Sequence, residues 1–260
     1  MPSNETHAQR RFGGMQRLYG VEGAARIAQA RVAVVGIGGV GSWVAEALAR
    51  SGIGALTLVD LDNVAESNIN RQIHAHTESI GMPKVLAMQQ RIALIHPGCE
   101  VQGIEDFVEE DNVQHLLGGD GIDAVVDACD QVRAKAAIAS AMVALKRPFI
   151  TVGAAGGRTH AEQVEVQDLG LLSHDPLLAQ LRYRLRRYHG FPSQGARMHV
   201  PCVFSREAVR QADASCAATQ QEGSLNCAGY GSSVAVTATF GMVAAGWILN
   251  RLALAPEPRR

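Results

Sequence analysis

Aromatic residues make up only 5% of this 260-residue chain, whereas glycine supplies 27 positions and alanine and valine abound. Small side chains of that kind suit an α/β protein whose helices pack closely on a parallel sheet. The five cysteines (Cys99, Cys129, Cys202, Cys216 and Cys227) form no CxxC pair. That excludes a paired-thiolate zinc centre and a disulfide framework, so no zinc is expected. The opening MPSNETHAQRR has no apolar core to serve as a signal peptide, and with the cysteine pattern it points to a reducing, cytoplasmic setting. Long hydrophobic runs are also lacking. Residues 223–250 carry no charge, but the apolar part, 234–249, is interrupted by Thr237, Thr239, Gly241 and Gly246. It falls short of the ~18–20 residues that span a bilayer. It reads as a buried strand running into a buried helix, with loose membrane association left open. The net charge of −1 excludes a broadly basic surface, so nucleic acid would need a local patch. LRYRLRRYHG (181–190) offers one in Arg182, Arg184, Arg186 and Arg187; the alternative is the solvated face of an amphipathic helix.

Along the chain, strand and helix patterns alternate. A short helix over 24–30 precedes the apolar, β-branched RVAVV (31–35), and SWVAEALARSG (42–52) has helical periodicity with a glycine stop. ALTLVD (55–60) reads as a strand, and the helix opened by Pro83 ends at His96-Pro97. Strands at CEVQGI, DAVVDA and PFITVGA alternate with helices at EEDNVQHLL and VRAKAAIASAMVALKR. The predicted fold is a doubly wound, Rossmann-like, mainly parallel sheet with an elaborated C-terminal half. AEQVEV and HVPCVFS add strands there, and 206–232 reads as a long loop. No repeat or interdomain linker is visible, which leaves a flexible segment over 1–10 and one domain over 11–260.

GIGGVG places Gly36, Gly38 and Gly41 in GxGxxG spacing, with Gly39 between them. With 27 glycines in 260 residues, chance yields that spacing roughly 0.3 times per chain, so the bare motif is weak. Its placement is strong: a strand before, a helix after, and Asp60 at the tip of the next strand. Glycines let backbone approach phosphate, the helix N-terminus attracts its charge, and the carboxylate can accept from ribose hydroxyls. A nucleotide is therefore expected, with hydride transfer and adenylyl transfer both open.

SNINRQIHAHTESIGMPK (67–84) favours the second, because attack on an α-phosphate needs cations around the triphosphate. Arg71 and Lys84 can neutralise charge as the phosphorus becomes five-coordinate, and Asn68 and Gln72 can donate to its oxygens. DACD (127–130) ends a strand at the edge where such sheets bind ligands, and Asp130 can hold Mg²⁺ against phosphates. An NAD-dependent oxidoreductase would leave Arg71, Lys84 and Asp130 without a purpose.

GIGGVGSW, LVDLDNV, SNINRQ, GMPK and DACD resemble the ubiquitin-activating-enzyme superfamily, which includes the adenylyltransferases of the molybdopterin and thiamine pathways. That resemblance covers about residues 11–155. It implies an ATP site in which Gly36, Gly38, Gly39 and Gly41 cradle phosphates, Asp60 holds the ribose and Asp62 lies nearby. Asn68, Arg71, Gln72 and Lys84 would handle the triphosphate, and Asp130 would bind Mg²⁺. Superfamily relatives pair as homodimers, many with an arginine reaching the partner subunit's ATP. Here RFGGMQRLYG puts a glycine at that place, with Arg11 and Arg17 as substitutes.

RFGG, RLYG, NINRQIHA, VGAAGG, HDPL, CVFS and NCAGYGS extend the resemblance, over nearly the whole chain, to the family of tRNA threonylcarbamoyladenosine dehydratases. It implies ATP-driven cyclisation of threonylcarbamoyladenosine beside the anticodon, with that modified tRNA as partner; the sequence leaves open whether a monovalent cation also binds. The arginine patch would then contact tRNA phosphates. The same family places a cysteine at Cys227 that could take up an acyl group or sulfur. Two alternatives follow: an adenylyltransferase for a ubiquitin-like sulfur carrier, which the missing zinc cysteines oppose, and a sulfur-accepting partner of a cysteine desulfurase and its acceptor protein.

Overall fold

Strand β1 (Arg31–Val35) shows how the layers arise. Val32 and Val34 point into one apolar cluster and Ala33 and Val35 into the other, so both faces of the strand are covered. The computed structural model describes residues 4–193, 195–210 and 230–254. Its sheet has seven strands in the order β3-β2-β1-β4-β5-β7-β6. These are β2 (Ala55–Val59), β3 (Glu100–Ile104), β4 (Ala124–Asp127), β5 (Phe149–Val152), β6 (Val164–Asp168) and β7 (Pro201–Ser205). All pairings are parallel except β6 with β7, as expected of a mainly parallel, doubly wound fold.

One face carries α2 (Gly41–Arg50), α3 (Lys84–Ile95) and α7 (Val234–Ala253); the other carries α4 (Val113–Leu117), α5 (Val132–Leu145) and α6 (Pro176–Tyr188). The alanines of α5 bring it close to the sheet, as the composition implied. Helix α6 begins where Asp175 caps it by accepting from Leu178 N, with Pro176 in the first turn.

Three expectations change. Helix α1 (Asn4–Gln29) starts inside the segment expected to be flexible and runs to a break at Gly20 (φ 74°, ψ 169°), so the short helix expected over 24–30 is only its second half. Polar residues continue a helix once its later turns are anchored, here by Met15 and Tyr19 on the core. The apolar stretch before residue 250 forms no strand among the described residues; Val234–Ala253 is one helix, capped by Ser233. That helix is long and apolar enough to cross a membrane, yet Val236, Phe240, Ala244 and Ile248 lie at helical spacing in the core of this molecule. Third, AEQVEV is strand only from Val164, after a single 3₁₀ turn. Of the loop expected over 206–232, residues 206–210 and 230–232 have no helix or strand, and the rest lies outside the described residues.

Candidate active site

At the carboxyl ends of the strands lies a cavity of about 270 Å³. Gly36, Gly38, Gly39, Asp60, Asp62, Asn68, Arg71, Gln72, Lys84 and Asp130, expected together from sequence alone, all line it. Gly41 does not. It starts α2, and a Cβ there would lie 1.7 Å from Gly36 O, so it serves the close packing of loop on helix. Gly36 turns with φ 85° against the backbone of Cys129. Among the described residues, the amides of Gly38, Gly39 and Val40 have no acceptor, and they sit where α2 begins. Such a ring of N–H groups at a helix N-terminus suits an anion.

Asp60, just past β2, accepts from Ile37 N (2.6 Å) and Asp62 N (2.9 Å). Burial raises its carboxyl pKa despite the pull of Lys84 and these two amides. Lys84 opens α3 and is nearly enclosed, its Nζ 2.7 Å from Asp62 Oδ2 and 3.7 Å from Asp60 Oδ1. Its own N–H donates to Asp62 O, and Val64 N donates to Met82 O. The two ends of segment 62–84 are thus zipped together, which brings a lysine 24 residues from Asp60 back beside it.

Within that segment Asn68 ends a 3₁₀ turn, its Oδ1 accepting from Ala65 N, which leaves the amide nitrogen as donor. Arg71 folds over Gly39, and its Nη1 donates to Ser67 O (2.8 Å) and Asn70 Oδ1 (2.9 Å). Trp43 Nε1 of α2 donates to Arg71 O, pinning the segment to the glycine loop. Gln72 is buried, and its Oε1 has no partner among the described residues.

Asp130 stands three residues beyond the end of β4. Beneath it Asp127 is fully buried and accepts from Lys135 Nζ (3.1 Å), the Thr151 hydroxyl and the Cys129 thiol. Burial alone would lower the Lys135 pKa, but the charge and hydrogen bond of Asp127, with help from Cys129 and Cys202, together outweigh it and raise it. Lys84 and Lys135 are two of only three lysines in the chain, and both are buried. A divalent ion fits this pocket as one brought with a nucleotide. Asp130 supplies a carboxylate, and no described group of three or more His, Cys, Asp or Glu residues could hold a metal alone.

Sequence reading missed two walls. Asp106, Phe107 and Val108 follow β3 on the Asp60 side. Gly153, Ala154, Ala155 and Gly156 follow β5 on the far side of Asp130, closed by Leu177, Ser232 and Thr237. Their position after strand ends was the available signal.

Elsewhere the arginine patch is largely spent within the chain. Arg182 donates to Leu169 O and Leu172 O, Arg184 pairs with Glu110, and Arg186 donates to Pro192 O and Ser193 O. Arg187 faces solvent beside the Tyr188 ring. Arg11 Nη1 donates to Ile95 O, at the end of α3 away from Lys84, while Arg17 lies beside Gly13 and Gly14. Burial raises the thiol pKa of Cys129 and Cys202 well above the usual value, and that of Cys99 to about 11. None of these three is poised as a nucleophile; Cys216 and Cys227 lie outside the described residues.

Known proteins resemble this chain in sequence and fold. The chain is 44% identical over 252 residues to the tRNA threonylcarbamoyladenosine dehydratase of Escherichia coli (strain K12), covering 94% of each. The crystal structure of E. coli tRNA N6-threonylcarbamoyladenosine dehydratase in complex with ATP matches with a TM-score of 0.85 at 42% identity, covering 97% of this chain and 96% of that one. The E. coli sulfur carrier protein ThiS adenylyltransferase is 32% identical over 136 residues, 52% of this chain and 53% of that protein. The profile of the ThiF family matches residues 13–259, a span that takes in every strand, both missed walls and the lysine zipped back to Asp60. The chain belongs to the ThiF family.

Proposed function

We propose that this protein uses ATP to dehydrate threonylcarbamoyladenosine in tRNA, by adenylating the substrate carboxylate and letting the ring close from within. The observation that carries the reading is the convergence of Asp60, Arg71, Gln72, Lys84 and Asp130 on one glycine-lined cavity. The full-length likeness to a dehydratase solved with ATP supports it, and the half-length likeness to a sulfur-carrier enzyme favours it over that alternative.

On this reading the substrates follow the order of strand exits. From β3 to β5 the cavity presents an apolar wall at Phe107 and Val108, the carboxylate of Asp60, the free amides before α2, Asp130, and then the small-residue wall at Gly153–Gly156. ATP occupies the first four, with adenine on the apolar wall, ribose on Asp60 and phosphates at the amides. Asp130 would hold Mg²⁺, which when bound offsets charge on the triphosphate. The last wall is left for the acceptor acid.

The carboxylate oxygen attacks the α-phosphorus and pyrophosphate leaves. Arg71 and Lys84 stabilise the charge that gathers on the five-coordinate phosphorus. Lys84 is held for this by Asp62, so its ammonium is placed before substrate arrives. The nucleophile within the same side chain then attacks the activated carbonyl, AMP departs with the former acid oxygen, and the nucleoside has lost one water. Tethering supplies much of that second step, so no protein nucleophile is required.

The same reading takes the protein as cytoplasmic and homodimeric, with Arg11 or Arg17 turned to the partner's nucleotide. It narrows the RNA-facing part of α6 to Arg187 with the exposed Tyr183 and Tyr188, which can stack on bases. The test is incubation with ATP and tRNA carrying threonylcarbamoyladenosine, against tRNA lacking it. AMP, pyrophosphate and a nucleoside lighter by one water are expected from the first alone; an unchanged nucleoside mass rejects the proposal.

A further inference from the structure

Behind the wall that follows β5 lies a buried ion pair that does not itself line the cavity. Arg158 and Asp175 are both fully enclosed, Nη2 lying 3.3 Å from Asp175 Oδ2. The same Nη2 donates to His174 O, and His174 adopts φ 69°, a left-handed conformation that costs a residue with a side chain. Arg158 Nε and Nη1 have no partner among the described residues, although the guanidinium lies 5.9 Å from the Phe240 ring centre. Buried ion pairs are weak stabilisers, and unpaired donors weaken this one further. Stability is a poor reason for it.

Its geometry suggests another. Asp175 Oδ2 accepts from Ala154 N (3.0 Å), and Ala154 lines the acceptor wall. Asp175 Oδ1 accepts from Leu178 N (3.0 Å) in the first turn of α6, next to Leu177, another wall residue. The carboxylate comes so near that a Cβ on Gly153 would sit 2.3 Å from Oδ2. Phe240, under the guanidinium, is one turn of α7 from Thr237, which closes the wall. One carboxylate thus joins the β5 exit to α6, and one guanidinium ties that joint to α7.

We propose that Asp175 and Arg158 are positioning residues for the acceptor acid. They hold the Gly153–Gly156 wall at the distance from Asp130 that in-line attack requires, and they leave nucleotide affinity to the opposite half of the cavity. The inference rests on the dehydratase reading above. Misplacement by about an ångström in such a geometry costs on the order of 10²-fold in rate.

The test compares wild type with Arg158→Met/Asp175→Asn, which removes both charges together, and with Arg158→Lys, which keeps the charge facing Asp175. Amide exchange at Ala154, ATP affinity by calorimetry, and kcat and KM on modified tRNA are measured on each. In the double variant Ala154 exchanges at least ~10-fold faster, ATP affinity stays within about 2-fold, and turnover on tRNA falls ~10²-fold. Arg158→Lys recovers a measurable part of that turnover. Wild-type protection at Ala154, unchanged turnover, or ATP affinity lost in step with turnover would each overturn the proposal. If the double variant does not fold, Arg158→Lys is read by the same criteria with intermediate values. If wild type fails to dehydrate tRNA, the proposed function falls, and exchange at Ala154 with ATP affinity still decides whether the pair braces the wall.

Discussion

His74 makes the stability of this protein sensitive to mild acid. It is almost fully enclosed, neither ring nitrogen has a partner among the described residues, and burial lowers its pKa from 6.5 to about 4, with Lys84, Arg91 and His76 adding repulsion. Because the folded value is depressed, the unfolded chain takes up the proton first. The imidazole therefore imposes no cost above pH 6.5 and destabilises increasingly as pH falls towards 4. At ~1.4 kcal/mol per unit, the full span is about 3 kcal/mol, and the part lost between pH 7 and pH 5 is about 2 kcal/mol. For a chain of this size that corresponds to a fall in Tm of ~4 °C. His74→Phe removes both nitrogens without breaking a hydrogen bond and should lose ~4 °C less than wild type over that interval; His74→Leu checks that ring volume is not the cause. Calorimetric melts at pH 7, 6 and 5 supply the comparison. Parallel curves of Tm against pH for wild type and both variants would refute the reasoning.

Three further outcomes are open to measurement. Arg71→Ala and Lys84→Ala should each lower turnover by ~10²-fold with circular dichroism intact, whereas near-normal rates in both would place the chemistry elsewhere. Gly41→Ala should yield little soluble protein, since its Cβ would enter the carbonyl of Gly36; a normal melt would show that the loop can shift. Lys135→Met leaves Asp127 buried without its counter-ion and should cost about 3–5 kcal/mol in denaturant titrations, most of it recovered by adding Asp127→Leu.

How much of this was legible depends on the reach of each signal. β1 is covered on both faces and shows as an unbroken apolar run, and the glycines, Asp60 and Asp130 all follow strand ends in order. Those features are local, so spacing carries them. The start of α7 misled because Val234-Ala-Val-Thr-Ala-Thr alternates like a strand, while its packing against α2 and the sheet selects the helix. Arg182 looked like part of a phosphate-binding patch because nothing in its neighbours shows that it meets carbonyls 10 and 13 residues back. Arg158 and Asp175 are 17 residues apart with no periodic relation, and a buried pair of that kind is visible only in three dimensions.

Helix α7 carries a consequence for biosynthesis. It caps the face of the sheet made by Val126, Ile150 and Val152, all of which are translated more than 80 residues earlier than Val234. A nascent chain therefore holds this part of the apolar face uncovered until α7 leaves the ribosome, although α2 and α3 already cover the rest. That intermediate is the species a chaperone would meet. Rapid docking of α7, rather than the order in which the strands form, would decide how much newly made protein reaches the native fold.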